Sequence, residues 1–176
     1  MKRGKPVPIQ HLARIRALQM LYKLDIGPND DADQLVLECE WLHELPELAP
    51  PELSARELRK IKSRADALVA GVTVQKHLVD EMIAGASPHW DTARMLTVDL
   101  NTIRLALYEM FYADVPPAVC INEAVEIARL FGDEESWRFT NGILDQIRRD
   151  AAADVIAIPP AAFESANNQA SERLCP

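Results

Sequence analysis

The sequence predicts an all-α protein, and three observations carry that expectation. Apolar residues recur at helical rather than alternating spacing along most of the 176-residue chain. Alanine and leucine are abundant while aromatic residues make up only 6%, a balance that favours helices over sheets. No strand pair or hairpin pattern appears between the Gly and Pro breaks. About seven helices in two small bundles, packed helix on helix, is the expected architecture.

Residues 9–26 open the pattern, with Leu12, Ile15, Leu18, Leu21 and Tyr22 on one face. Gly27-Pro28-Asn29-Asp30 stops that helix, the glycine supplying a C-terminal turn. A second helix is expected over 32–44, before Pro46, Pro50 and Pro51 turn the chain into a loop. Ser54-Ala55-Arg56-Glu57 has the spacing of a capping box. The long helix it starts should reach about residue 84 with Ala65, Leu68, Val69, Val72, Val79, Met82 and Ile83 inward. Gly71 within it weakens the helix and marks close packing. Ser87-Pro88 signals a short helix near 88–94. Next comes 97–112, with Leu100, Ile103, Leu107, Met110 and Phe111 on its face, closed by Ala113-Asp114-Val115-Pro116-Pro117. Helix 117–131 buries Ile121, Ala124, Ile127, Ala128 and Phe131, and Gly132 ends it. The last helix, 133–152, buries Phe139, Ile143, Leu144 and Ile147. Residues 1–8 read as a basic flexible arm and 153–176 as a disordered tail. The helical domain, 9–152, is expected to divide into bundles of about 9–85 and 86–152.

Composition excludes several classes of function. Apolar residues reach 48%, enough for a real core, and the net charge of −8 argues against a general nucleic-acid coat. The charge is unevenly placed. Residues 1–23 hold Lys2, Arg3, Lys5, Arg14, Arg16 and Lys23 and no acid, whereas Asp25 to Glu57 is strongly acidic. Such an arm suits a local polyanion contact, or simply keeps the chain soluble. Cys39, Cys120 and Cys175 are too scattered for a disulfide framework or zinc site, which fits a reducing cytoplasm. His11, His43, His77 and His89 show no metal-ligand spacing, and no phosphate loop, dinucleotide fingerprint or nucleophile elbow occurs. Neither a membrane span nor a secretory leader is expected.

A few residues invite chemistry. Glu123 and Glu126 lie close on one helix and can act as acid and base only in a cleft that raises one pKa; otherwise they complement the helix dipole. Asn141-Gly142 reads as a packing notch between helices. Trp137 falls off the apolar stripe, either as boundary packing or as an exposed stacking residue.

The segment 103–145, IRLALYEMFYADVPPAVCINEAVEIARLFGDEESWRFTNGILD, resembles the C-terminal signature of the NusB family. Its landmarks are Ala106-Leu107-Tyr108-Glu109, Val115-Pro116, Ile121-Asn122-Glu123-Ala124, Phe131-Gly132, Phe139 and Asn141-Gly142. Ala17-Leu18-Gln19-Met20-Leu21-Tyr22 and Ala67-Leu68-Val69-Ala70-Gly71-Val72 resemble further stretches of the family, so the likeness spans roughly 9–150. It implies a NusB-like fold and a non-enzymatic antitermination factor without cofactors. Such a factor pairs with NusE, a small-subunit ribosomal protein, and binds boxA-type single-stranded RNA of nascent ribosomal transcripts within an RNA polymerase complex. By position it implies RNA contacts at Arg14, Arg16, Glu135 and Arg138, with Phe131 and Phe139 nearby but equally suited to the core. Tyr22 and Asp99 match residues that face NusE.

The chain departs from the family's arginine run before the first helix, where it reads Gln10, His11, Leu12 and Ala13. Lys2, Arg3 and Lys5 are the candidates to replace it. The rival reading is a NusB-fold protein-interaction module that has lost strong RNA binding, with self-association into a homodimer open. A third, an RNA methyltransferase carrying this domain, lacks a cofactor loop and, with the chain expected to end at Pro176, room for a catalytic domain.

Overall fold

The computed structural model describes residues 7–27, 53–86 and 95–158. Among these residues there are five α helices and no strand: α1 Ile9–Ile26, α2 Ala55–Ala86, α3 Thr97–Tyr112, α4 Pro117–Phe131 and α5 Ser136–Ala152. The helices expected at 32–44 and 88–94, the cations Lys2, Arg3 and Lys5, and the tail from 159 onward lie outside the described residues. The chain forms two compact units, one up to Ala70 and one from Gly71, so the division falls inside α2.

In the first unit, α1 follows Pro8, whose carbonyl accepts the Leu12 N–H at 3.1 Å. Every residue from Leu12 to Leu18 is buried, charged ones included. Leu12 and Ala13 meet Ile61 of α2, with Val7, Ile9 and Leu53 against them. Val7, assigned to the flexible arm, is therefore packed. Gly27 ends α1 in extended rather than left-handed backbone, with φ −78°. A side chain is excluded by space: its Cβ would lie 2.7 Å from the Lys23 carbonyl oxygen, which accepts the Gly27 N–H. The capping box forms as expected. Ser54 N–H donates to Glu57 Oε2 at 2.9 Å and Glu57 N–H to Ser54 Oγ at 3.3 Å. The Ser54 hydroxyl also donates to Glu57 Oε2 at 2.6 Å, and this bond, followed by that from the Ser54 N–H, holds the Glu57 carboxyl below its ordinary range.

The second unit holds the larger core. Val79, Met82 and Ile83 of α2 join Ile103, Ala106, Leu107 and Met110 of α3, Ala124 of α4, and Ile143, Leu144 and Ile147 of α5. Helix α3 is covered almost all round, so its polar residues are buried with the rest. Arg104 answers with a fork: Nε and Nη2 donate to the two carboxylate oxygens of Asp80 at 2.7 and 2.9 Å, and Nη1 to Asn101 Oδ1 at 3.1 Å. A bidentate pair of this kind fixes orientation as well as distance. Gly71 is a packing notch, as its place in the helix suggested. A Cβ there would overlap Cζ and Oη of the Tyr108 ring.

Two boundaries differ from expectation. Helix α5 starts at Ser136, not 133, because the Asp133 side chain closes its own turn, accepting the Glu135 and Ser136 N–H groups at 2.9 Å each. Residues 153–158, assigned to the tail, turn back instead. Asp154 adopts φ 54°, the Val155 N–H donates to Asp150 O at 2.8 Å, and Ile156 packs on the core.

The Gly71 notch gives the first prediction. Gly71→Ala should destabilise the fold by about 1–3 kcal/mol, the usual cost of overpacking. Thermal melts of Gly71→Ala, Tyr108→Leu and the double variant would check it. A strictly additive double variant would show that the ring does not occupy the notch.

Candidate functional site

The site grows from the start of α5. Gly132 lies in extended backbone after α4, and a Cβ there would overlap Cβ and Oγ of Ser136. The missing side chain lets the Ser136 hydroxyl sit inward, buried. That hydroxyl accepts the Asp133 N–H at 2.9 Å and faces two carboxylates, Asp99 Oδ2 at 2.9 Å and Asp133 Oδ1 at 3.1 Å. Its single proton is shared between them. The Phe131-Gly132 landmark thus has a physical reason: it makes room for a serine that ties the first turn of α3 to the start of α5.

The two carboxyls are pushed in opposite directions. Burial raises the Asp99 pKa against the hydrogen bond from Ser136, and the Asp133 charge adds to the rise. Asp133 is held low, first by the Glu135 backbone N–H and then by the Ser136 hydroxyl. Asp99 Oδ1 has no hydrogen-bond partner among the described residues.

Outside this knot, the first turn of α5 presents Trp137 and Arg138. Arg138 Nη1 pairs with Glu135 Oε1 at 2.6 Å, both side chains largely exposed. The Arg138 guanidinium carbon lies 4.9 Å from the centre of the Trp137 ring. Arg129, in the last turn of α4, lies 4.7 Å from the same centre and pairs with Glu126 at 3.5 Å. One half-exposed indole thus carries two guanidinium groups, each held by a carboxylate of its own helix end.

Several expected site residues fall elsewhere. Arg14 and Arg16 are only 4% and 3% exposed, so they are not cations presented to solvent, and the expectation that they reach phosphate directly is corrected. The cause is the coverage of α1 on all sides between Leu12 and Leu18. Asp99 is 6% exposed and bound to Ser136, so it holds the fold together instead of facing a partner. Tyr22, 36% exposed, does lie at the surface. Phe131 and Phe139 are half-buried, Phe139 packing against the core. Asn141 and Gly142 are both exposed, and a Cβ at Gly142 would meet nothing within 4 Å, which removes the packing notch expected there. Glu126 is exposed against Arg129, a surface ion pair and not an acid in a cleft. Arg129 was not among the expected site residues; its one signal is a position eight residues before Trp137, a tryptophan that belongs to no apolar stripe.

A groove of about 710 Å³ in the same unit is lined by Met110, Phe111, Ile121 and Ile158. The titrating groups on its wall are Asp145 and Arg148, 2.7 Å apart, the arginine holding the acid low. Among the described residues no cluster of His, Cys, Asp or Glu is arranged to hold a metal.

A family model described as the NusB family matches residues 11–149. The chain belongs to the NusB family. A transcription antitermination protein NusB from Pelotomaculum thermopropionicum is 41% identical over 136 residues, 77% of this chain and 85% of that one. The protein of that name from Geobacter sulfurreducens is 42% identical over 139 residues, 78% of this chain and 92% of its own. A structure of T. maritima NusB superposes with a TM-score of 0.64 at 28% identity, covering 91% of this chain and 99% of that one. The Asp99–Ser136 tie and the Arg–Trp–Arg stack both fall inside the matched segment.

The raised Asp99 pKa sets a pH dependence. Between the ordinary carboxylate value and the raised one the folded chain binds this proton more tightly than the unfolded chain, so this contribution falls as pH rises through that window. Asp99→Asn keeps an acceptor for Ser136 and removes the buried charge. Its melting temperature relative to the parent should therefore improve as pH rises above about 4, the ordinary carboxylate value. A difference that stays flat with pH would contradict this account.

Proposed function

We propose that this chain is a non-enzymatic transcription antitermination factor that pairs with NusE, a small-subunit ribosomal protein, and binds boxA-type single-stranded RNA of nascent ribosomal transcripts. Family membership carries the proposal: relatives about 40% identical over more than three quarters of the chain are named for antitermination. The exposed Glu135–Arg138 pair supports it, because single-stranded RNA is held by cations on phosphate and by groups that read unstacked bases. In this reading Arg138, with Lys2, Arg3 and Lys5 of the arm, takes phosphate. Glu135 orients Arg138 and accepts from a base amino group. Arg14 and Arg16, both buried, make no direct phosphate contact in this reading, and Tyr22 belongs to the NusE contact. In this reading the work is done in the cytoplasm, where the transcripts it binds are made.

A second reading, a NusB-fold interaction module without strong RNA affinity, is favoured by two observations. The net charge is −8, and two of the expected RNA cations are buried. Fluorescence anisotropy of a labelled boxA-type RNA, with and without the protein's own NusE, separates the two. The antitermination reading expects binding that tightens with NusE. Arg138→Ala should lower the slope of log affinity against log salt by about 0.7, the loss of one phosphate contact on a single strand. A NusE complex that forms yet never binds RNA would establish the interaction module instead.

A further inference from the structure

We propose that Trp137, Arg129 and Arg138 form a subsite for one unpaired nucleotide, the indole stacking its base and the two guanidinium groups serving its phosphates. The inference rests on the RNA-binding reading above and adds to it two residues and a mode of contact.

The placement of the tryptophan comes first. Trp137 lies in the first turn of α5, beside buried Ser136, and stays half-exposed while the inward face of that helix is carried by Thr140, Ile143, Leu144 and Ile147. Nothing in the core requires so large a ring there, and an amphipathic aromatic at a polar boundary offers a π-face to a ligand. The two arginines come second. Their guanidinium carbons lie 4.7 and 4.9 Å from the ring centre, within the range in which a cation is drawn to an aromatic face. They arrive from different helices, Arg129 from the end of α4 and Arg138 from the start of α5, so the cluster is built by the tertiary fold and not by one helical turn.

Charge then selects the ligand chemistry. Glu126 and Glu135 balance the two cations, so the patch has no large net charge with which to attract a bulk polyanion. What it does offer is flat surface: an indole and two planar guanidinium groups, the surfaces on which unstacked bases settle. Both guanidinium groups lie over the ring in the free protein, so the base takes the face that one of them leaves as it turns from the indole to phosphate. A double helix, with its bases stacked internally, cannot use such a surface. A single strand can.

This sets a signature that a purely ionic patch lacks. Loss of the ring should weaken binding by a similar factor at every salt concentration, whereas loss of Arg138 changes the salt slope. The test uses the full chain with its own NusE and a fluorescein-labelled boxA-type RNA at two salt concentrations. Trp137→Ala should bind about tenfold more weakly, as expected for one lost stacked base, with the slope unchanged, and Trp137→Phe should recover most of the loss. With Trp41 and Trp90 replaced by Phe, the emission of Trp137 should be quenched on titration with the RNA. One variant of that RNA, lacking the base at a single position, should bind without quenching. Melting curves of each variant confirm that it is folded.

If the parent binds this RNA and Trp137→Ala binds equally well, the subsite is refuted while the antitermination reading stands. If Trp137→Ala instead weakens only the NusE complex, the stack is a protein-docking surface and the proposal is overturned. If the parent complex binds no RNA in any condition, both readings fall together.

Discussion

The arrangement of the second unit turns on one buried hydroxyl. Ser136 holds the Asp133 amide and shares its proton with Asp99, thirty-seven residues earlier in the chain. Once this contact is made, the first turn of α5 can start in only one place relative to α3, and every side chain of that turn follows. Gly132 is part of the same constraint, since any side chain there would expel the serine. A hydrogen bond to an ionised acceptor is stronger than a neutral one, and leaving a buried carboxylate without it is costly. The exposed cluster around Trp137 therefore stands on a polar knot, with the apolar core holding the rest of the helix.

Helix α3 shows the same economy on a larger scale. It is buried on nearly every side, yet it carries Asp99, Asn101, Arg104 and Glu109. An apolar helix in this position would pack equally well in many rotations about its axis. The fork from Arg104 to Asp80 and the tie from Asp99 to Ser136 each accept one rotation and one translation. Polar groups inside this unit thus select an arrangement, whereas its Ile and Leu side chains supply the bulk of the driving force.

Much of the fold was legible because its punctuation is local. The Ser54–Glu57 capping box, the Pro116-Pro117 break before α4 and the inward stripe of α2 act within a few residues, and each appears where the pattern placed it. The start of α5 was misread because the turn is closed by the Asp133 side chain, which pattern alone ranks below an ordinary helical residue. The site was harder. Arg14 and Arg16 look like surface cations in any sequence, and only coverage of α1 on all sides, a tertiary fact, buries them. Asp99 was placed on a partner face by position in the family, and its tie to Ser136 joins two segments that no local rule connects. Arg138 and Glu135 lie at an exposed helix start, where spacing does report the surface.

Gly142 carries a consequence for motion. It lies mid-helix with open space around it, so α5 accepts a residue that weakens helices by about 1 kcal/mol relative to alanine without any packing in return. The inward side of this turn is held by Thr140, Ile143 and Leu144, so the softness is confined to its outward side. Local opening concentrates where few contacts oppose it. The outward side of the turn, at exposed Asn141 and Gly142, is where such contacts are fewest, on the same helix that presents Trp137 and Arg138.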